Sequence, residues 1–128
     1  MTASPQLERS PTPVVLVDDD EAVREALVFA LGSAGLTVIA FASAEAALAA
    51  DLPAQVCFVF DERLPGLSGL EAYRVLRGRG VDQPTVFITS QPKPDLRNAA
   101  AASGVPIVEK PLLGDSLLQA IRMVCEPR

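Results

Sequence analysis

The chain has 128 residues, enough for one domain and too few for two of full size. Hydrophobic residues make up 49% of it and aromatics only 5%, with no Trp, so aliphatic and Ala side chains must fill the core. A formal net charge of −5 argues against sequence-independent nucleic-acid binding and against an anionic membrane surface, and the lack of His excludes a His-dependent triad, a His–metal site and a His phosphocarrier.

Residues 1–13 hold Pro, Ser and Thr around Glu8 and Arg9, with no apolar core for a signal peptide, and read as a flexible leader. The continuous apolar run at 14–17 predicts a strand covered on both faces. A helix over 21–34 follows, with Val23, Leu27, Ala30, Leu31 and Ala34 on one face and Asp20 before it as N-cap. No charge falls between 26 and 44, about the length of a membrane span, but Gly32 and Gly35 break that stretch and Thr37, Val38 and Ile39 are β-branched. It therefore reads as a helix end, a turn and a second strand over 36–41. Ser43 caps an Ala-rich helix over 43–50, with Pro53 beyond its end.

The third strand is predicted over 56–60. Ser68 and Glu71 form a capping box, which places the start of the third helix just after Ser68. Leu70, Tyr73, Val75 and Leu76 supply its apolar groups, and Arg74, Arg77 and Arg79 its solvated side. A fourth strand spans 85–89, and a short helix over 95–102 ends at Gly104. Ile107 and Val108 lie on a brief fifth strand, and an amphipathic helix over 115–124 carries Leu118, Ile121 and Val124. Cys57 and Cys125 match no metal or redox spacing and read as buried free thiols in a reducing cytosol. The chain is thus expected to be cytoplasmic.

Five strand–helix pairs in strict alternation predict an α/β fold, a doubly wound parallel sheet with helices on both faces. Right-handed crossovers leave few topologies, and the flavodoxin-like (βα)5 order 2-1-3-4-5 fits the length. Sites in such sheets lie at the carboxyl ends of strands. Asp18, Asp19 and Asp20 follow strand one, Asp61 follows strand three, Thr89 and Ser90 end strand four, and Lys110 ends strand five. Strands one and three are neighbours in this order, so Asp18, Asp19 and Asp61 converge.

Close carboxylates repel by several kcal/mol per pair at an effective dielectric near ~20, and a divalent cation offsets that repulsion. Hard oxygen ligands with room for water and phosphate favour Mg²⁺. Screened in this way, the Asp61 carboxylate can attack a phosphoryl group, while Lys110 and the Thr89 hydroxyl stabilise the charge on the phosphoryl oxygens.

From Val14 to Val124 the chain resembles the response-regulator receiver family. The resemblance is carried by Val15-Leu16-Val17-Asp18-Asp19-Asp20-Glu21, by Val59-Phe60-Asp61-Glu62-Arg63-Leu64-Pro65-Gly66-Leu67-Ser68-Gly69-Leu70-Glu71, by Phe87-Ile88-Thr89-Ser90, and by Val108-Glu109-Lys110-Pro111. It is most similar to the receivers of nitrogen-fixation-type regulators. The resemblance implies a receiver domain over 14–125 with a short tail at 126–128, and a phosphoacceptor signalling role in place of an enzyme's. Asp61 would accept the phosphoryl group from a histidine kinase or phosphotransfer protein. Asp18, Asp19, Asp61 and the backbone carbonyl of Arg63 would hold Mg²⁺, Thr89 and Lys110 would contact the phosphoryl oxygens, and Lys110–Pro111 would be cis. A downstream protein target, and a homodimer through the fourth and fifth helices, are further implications. Direct nucleic-acid or membrane binding is not among them.

Two features depart from the family pattern. An aromatic residue usually stands three positions before the lysine, where this chain has Ile107, which has no ring to swing between buried and exposed states. Pro92 and Pro94 follow Thr89 closely and predict a late, short fourth helix. Both features fall on the surface from which receivers signal, so an atypical output face is expected. A phosphate-independent pseudo-receiver is the alternative. An Asp-nucleophile phosphatase is disfavoured, because such enzymes place a second Asp two residues after the nucleophile, where this chain has Arg63.

Overall fold

The structure, a computed structural model, describes residues 12–112 and 115–125. Most of the expected leader and all of the expected tail, at 1–11 and 126–128, lie outside the described residues. Five strands alternate with five helices: β1 (Val14–Val17), α1 (Glu21–Ser33), β2 (Val38–Phe41), α2 (Ala44–Ala49), β3 (Cys57–Asp61), α3 (Gly69–Gly78), β4 (Thr85–Thr89), α4 (Pro94–Ser103), β5 (Ile107–Glu109) and α5 (Ser116–Cys125). The strands form one parallel sheet in the order β2-β1-β3-β4-β5, the flavodoxin-like arrangement expected from the alternation.

Alternate residues of each central strand face opposite layers, which is why these strands read as unbroken apolar runs. Val15, Val17, Phe58, Phe60 and Phe87 pack against α2, α3 and α4 through Ala47, Leu70, Tyr73, Leu76 and Leu96. Val14, Leu16, Val59, Val86 and Ile88 pack against α1 and α5 through Leu27, Leu31, Leu117 and Ile121. Each such aliphatic side chain contributes about 1.5–3 kcal/mol on burial, and together they fix the sheet whose carboxyl edge carries the site. With few rings available, Phe58 stacks on Phe60 at 5.5 Å and Tyr73 meets Phe87 edge-on at 5.6 Å.

Several boundaries shift from the sequence expectation for local reasons. Leu36 does not open β2, because its N–H donates to Leu31 O and closes the end of α1, with Gly35 at φ +94° making the turn. Val56 lies outside β3, since its N–H donates to Gln83 Oε1. At the other end Asp61 belongs to β3, in register with Ile88 of β4. On α1, Ala30 and Ala34 are exposed and only Leu27 and Leu31 are fully buried. The inward face of α5 is Leu117, Ala120 and Ile121, with Leu118 and Val124 at its margins.

Arg77 is not simply solvated. Its guanidinium lies 4.4 Å from the Tyr73 ring centroid, donates to Val81 O and Gln83 O, and pairs with Asp82 at 3.5 Å. Arg79 donates to Leu48 O at 3.0 Å and so ties α3 to α2. The two thiols, distant in sequence, meet beneath α5. A hydrogen bond with Cys125 and then burial push the Cys57 thiol up, and the same bond draws Cys125 down. Both are free, Cys57 buried and Cys125 half-buried.

Candidate functional site at the carboxyl edge of the sheet

The carboxyl ends of β1, β3, β4 and β5 bring Asp18, Asp61, Thr89 and Lys110 to one edge. Asp18 directly follows β1, and its N–H donates to Phe41 O of β2 at 3.2 Å, so the sheet ladder holds its backbone. Its carbonyl accepts from Arg24 Nη1 at 2.8 Å and its Oδ1 accepts from Asp20 N at 3.0 Å. Asp20 caps α1 through Val23 N, as expected. Asp19, between them, is exposed.

Asp61 is held as rigidly. It ends β3, and the next residue, Glu62, continues the ladder by donating to Ile88 O at 3.0 Å. Asp61 Oδ1 accepts from the N–H of Arg63 at 3.3 Å. The Arg63 side chain is exposed. Behind Asp61, α3 starts on a complete capping box, with Ser68 Oγ accepting from Glu71 N and Glu71 Oε1 from Ser68 N. A side chain at Gly69 would press on Asp61 O, at 2.7 Å from the Cβ, so only Gly lets the first turn of α3 lie against the acceptor's own peptide.

Lys110 reaches across from β5. Its Nζ lies 3.2 Å from Asp61 Oδ2 and 3.3 Å from Asp18 Oδ2, and the Lys110–Pro111 peptide is cis. Thr89, buried at the end of β4, accepts from Gln91 N through Oγ1, which leaves its hydroxyl proton free to donate elsewhere. Its carbonyl accepts from Lys110 N at 2.8 Å, locking the two strand ends together.

Electrostatics follow from this crowding. Burial and then the Asp18 charge push the Asp61 carboxyl above its ordinary value, with Lys110 pulling the other way. Burial works against the Lys110 ammonium, but Asp61 and Asp18 together outweigh it and hold its pKa up, so the lysine is charged. One ligand oxygen each from Asp18, Asp19 and Asp61 lies within 4.8 Å of the others. Asp18 is fully buried, yet its Oδ2 has no hydrogen-bond donor, and Lys110 is its only ion-pair contact among the described residues. A buried carboxylate oxygen left this way is what a hard cation satisfies. A cavity of about 540 Å³ between Arg77, Pro106 and Met123 lies at the opposite end of the strands, away from these acids.

Sequence reasoning placed the acids, the hydroxyl and the lysine on this edge but missed supporting groups, Arg24 and Glu62 among them. Arg24 gave no signal, because a cation in the second turn of a helix reads as solvated. Glu62 gave none either, yet its Oε1 accepts from Leu70 N at 2.8 Å and burial raises its pKa.

The response regulator receiver domain family model matches residues 14–122. The chain belongs to this family. It is 39% identical over 112 residues to the transcriptional regulatory protein FixJ of Azorhizobium caulinodans, covering 86% of this chain and 53% of that protein. The solved FixJ-N structure superposes with a TM-score of 0.78 at 32% identity, covering 89% of this chain and 93% of that one. The response regulator StyR gives 0.79 at 36% identity, covering 89% and 59%. This receiver domain spans about half the length of the curated relatives FixJ and TodT. It is thus the receiver domain of a two-component response regulator. No helix among the described residues is long and apolar enough to cross a membrane.

Proposed function

We propose that this receiver accepts a phosphoryl group on Asp61 from a histidine kinase or phosphotransfer protein in the cytoplasm, in a Mg²⁺-dependent reaction, and signals to a downstream protein through an atypical output face. The observation that carries the reading is the buried pair Asp18 and Asp61, bridged by Lys110, with Asp18 Oδ2 lacking a donor. Asp18, Asp19, Asp61 and the Arg63 carbonyl are the groups that would hold the ion. When bound, Mg²⁺ supplies positive charge that offsets the acids and the phosphoryl oxygens.

The chain's own residues account for the rest. An Asp61 carboxylate oxygen bonds to phosphorus as the bond from phosphorus to the donor's imidazole nitrogen breaks, and the electron pair leaves with that nitrogen. Asp61 starts from a raised pKa and a contact with Lys110. Lys110 is therefore placed to follow the negative charge from the Asp61 carboxylate onto a phosphoryl oxygen. The Thr89 hydroxyl, already an acceptor from Gln91 N, has its proton available for another such oxygen. Fixed donors of this kind act with little reorganisation, which is the usual source of catalysis in phosphoryl transfer.

On the output side, Ile107 stands in register with Phe87 of β4 and is half-buried against the α2–α3–α4 core. A branched aliphatic in this place can repack but cannot transmit a ring flip, so α4 is proposed to respond less than in receivers with an aromatic there. Beryllofluoride, which mimics the acyl phosphate, tests both halves by NMR. A Mg²⁺-dependent adduct at Asp61, with chemical-shift changes concentrated in 61–71 and 89–91 and small over α4, is expected. No adduct would favour the phosphate-independent module, and large shifts throughout α4 would restore an ordinary output face.

A further inference from the structure

The β3–α3 loop carries the Arg63 carbonyl, and its backbone donors are satisfied almost entirely from within the segment. Leu64 N and Gly69 N donate to Glu62 O, Leu70 N to Glu62 Oε1, and Ser68 N to Glu71 Oε1. Leu67 reaches outside the segment: its N–H donates 2.9 Å to Glu45 Oε2, a side chain from the first turn of α2. Gly66, at φ +77°, lies against that carboxylate so closely that a Cβ there would collide with it. The Leu67 N–H, and then the amide of Glu45 itself, draw the carboxyl below its ordinary value, so it is ionised at neutral pH. An exposed glutamate on a six-residue helix would otherwise spend its time in solvent, with no reason to face a glycine.

We infer that Glu45 is a positioning residue for the phosphoacceptor site: its carboxylate latches the β3–α3 loop to α2 and so holds the Arg63 carbonyl where a Mg²⁺ ion bound by Asp18, Asp19 and Asp61 would meet it. The inference rests on the Mg²⁺ reading above. It also gives Gly66 a reason in addition to its turn, since the latch needs a residue with no side chain at that point. Glu45 touches neither metal ligand nor acceptor, so its effect must pass through the loop.

Charge and hydrogen bonding are separable here, because Gln keeps an acceptor oxygen at the same reach while losing the charge. We expect Glu45→Ala to weaken Mg²⁺ binding, followed by calorimetry, about threefold to tenfold, the range set by one lost hydrogen bond of ordinary strength. Exchange of the Leu67 amide, followed by NMR, should quicken in the same variant. Glu45→Gln should stay within about twofold of the unsubstituted protein on both readouts, because a neutral acceptor keeps the bond. Unchanged affinity and unchanged Leu67 exchange in Glu45→Ala would overturn the latch, as would a Gln variant as impaired as the Ala one, which would mean a through-space charge effect. If the unsubstituted protein itself bound no Mg²⁺, the metal reading and the positioning role would fall together, while Leu67 exchange would still report whether the latch exists.

Discussion

Lys110 is the cation on which the metal-free site depends. Its Nζ lies within 3.3 Å of both buried acids, and among the described residues no other cation pairs with either. Removing it leaves two carboxylates without compensation, so Lys110→Ala is expected to destabilise the metal-free protein by about 2–4 kcal/mol in a denaturant titration. Mg²⁺ should then raise the melting temperature of this variant more than that of the unsubstituted protein. An equal or smaller gain would mean that ion and lysine do not serve the same charges. Asp61 gives a complementary prediction. Its carboxyl, pushed up by burial and by Asp18, binds its proton more tightly folded than unfolded. Such a group favours the fold fully below its unfolded pKa, and the benefit is lost as pH rises through the folded value. Metal-free protein should therefore become more stable as pH falls from neutral through the Asp61 titration. Glu62, also raised by burial, adds an effect of the same sign, so the Asp61→Asn comparison isolates the acceptor's share. That variant should melt about 3–5 °C higher at neutral pH without metal, the shift that ~1 kcal/mol gives a domain of this size. A melting point unchanged or lower would show that the repulsion is already relieved.

Elements impose a second set of constraints. The start of α3 is fixed by Ser68 and Glu71, a pattern legible in the sequence because a capping box needs only neighbours three apart. What the sequence did not reveal was the tightness behind it, with Gly69 against Asp61 O and Phe60 Cβ. Gly69→Ala is expected to cost about 1–3 kcal/mol as the helix start is displaced, and to weaken beryllofluoride binding because the displaced atoms belong to the acceptor's own peptide. A variant that melts normally and binds the mimic normally would contradict that coupling. The fourth helix shows the opposite balance. Two prolines suggested a late and short α4, yet Pro94 takes the first helical position, where its fixed φ suits the helix and its missing N–H removes nothing, and α4 runs ten residues, as many as α3 and α5. Gly104, at φ +70°, ends it as the sequence implied.

For the whole molecule, strict strand–helix alternation and unbroken apolar strands were enough to give the sheet order, because right-handed crossovers leave few alternatives. The same rule sent Asp18, Asp61, Thr89 and Lys110 to one edge, so the site was legible once the topology was. The groups that brace it were not: Arg24, Glu45 and Glu62 act on backbone atoms brought near only by folding, and a carboxylate seeking a distant N–H leaves no spacing in the chain. Arg77 was misread as solvated for the same reason. The most direct test of phosphoryl acceptance is the intact mass of the protein after incubation with acetyl phosphate and Mg²⁺. One added phosphoryl group, absent when chelator is present during the incubation and absent from Asp61→Asn, is the expected result. An unchanged mass, or a phosphorylated Asp61→Asn protein, would contradict it.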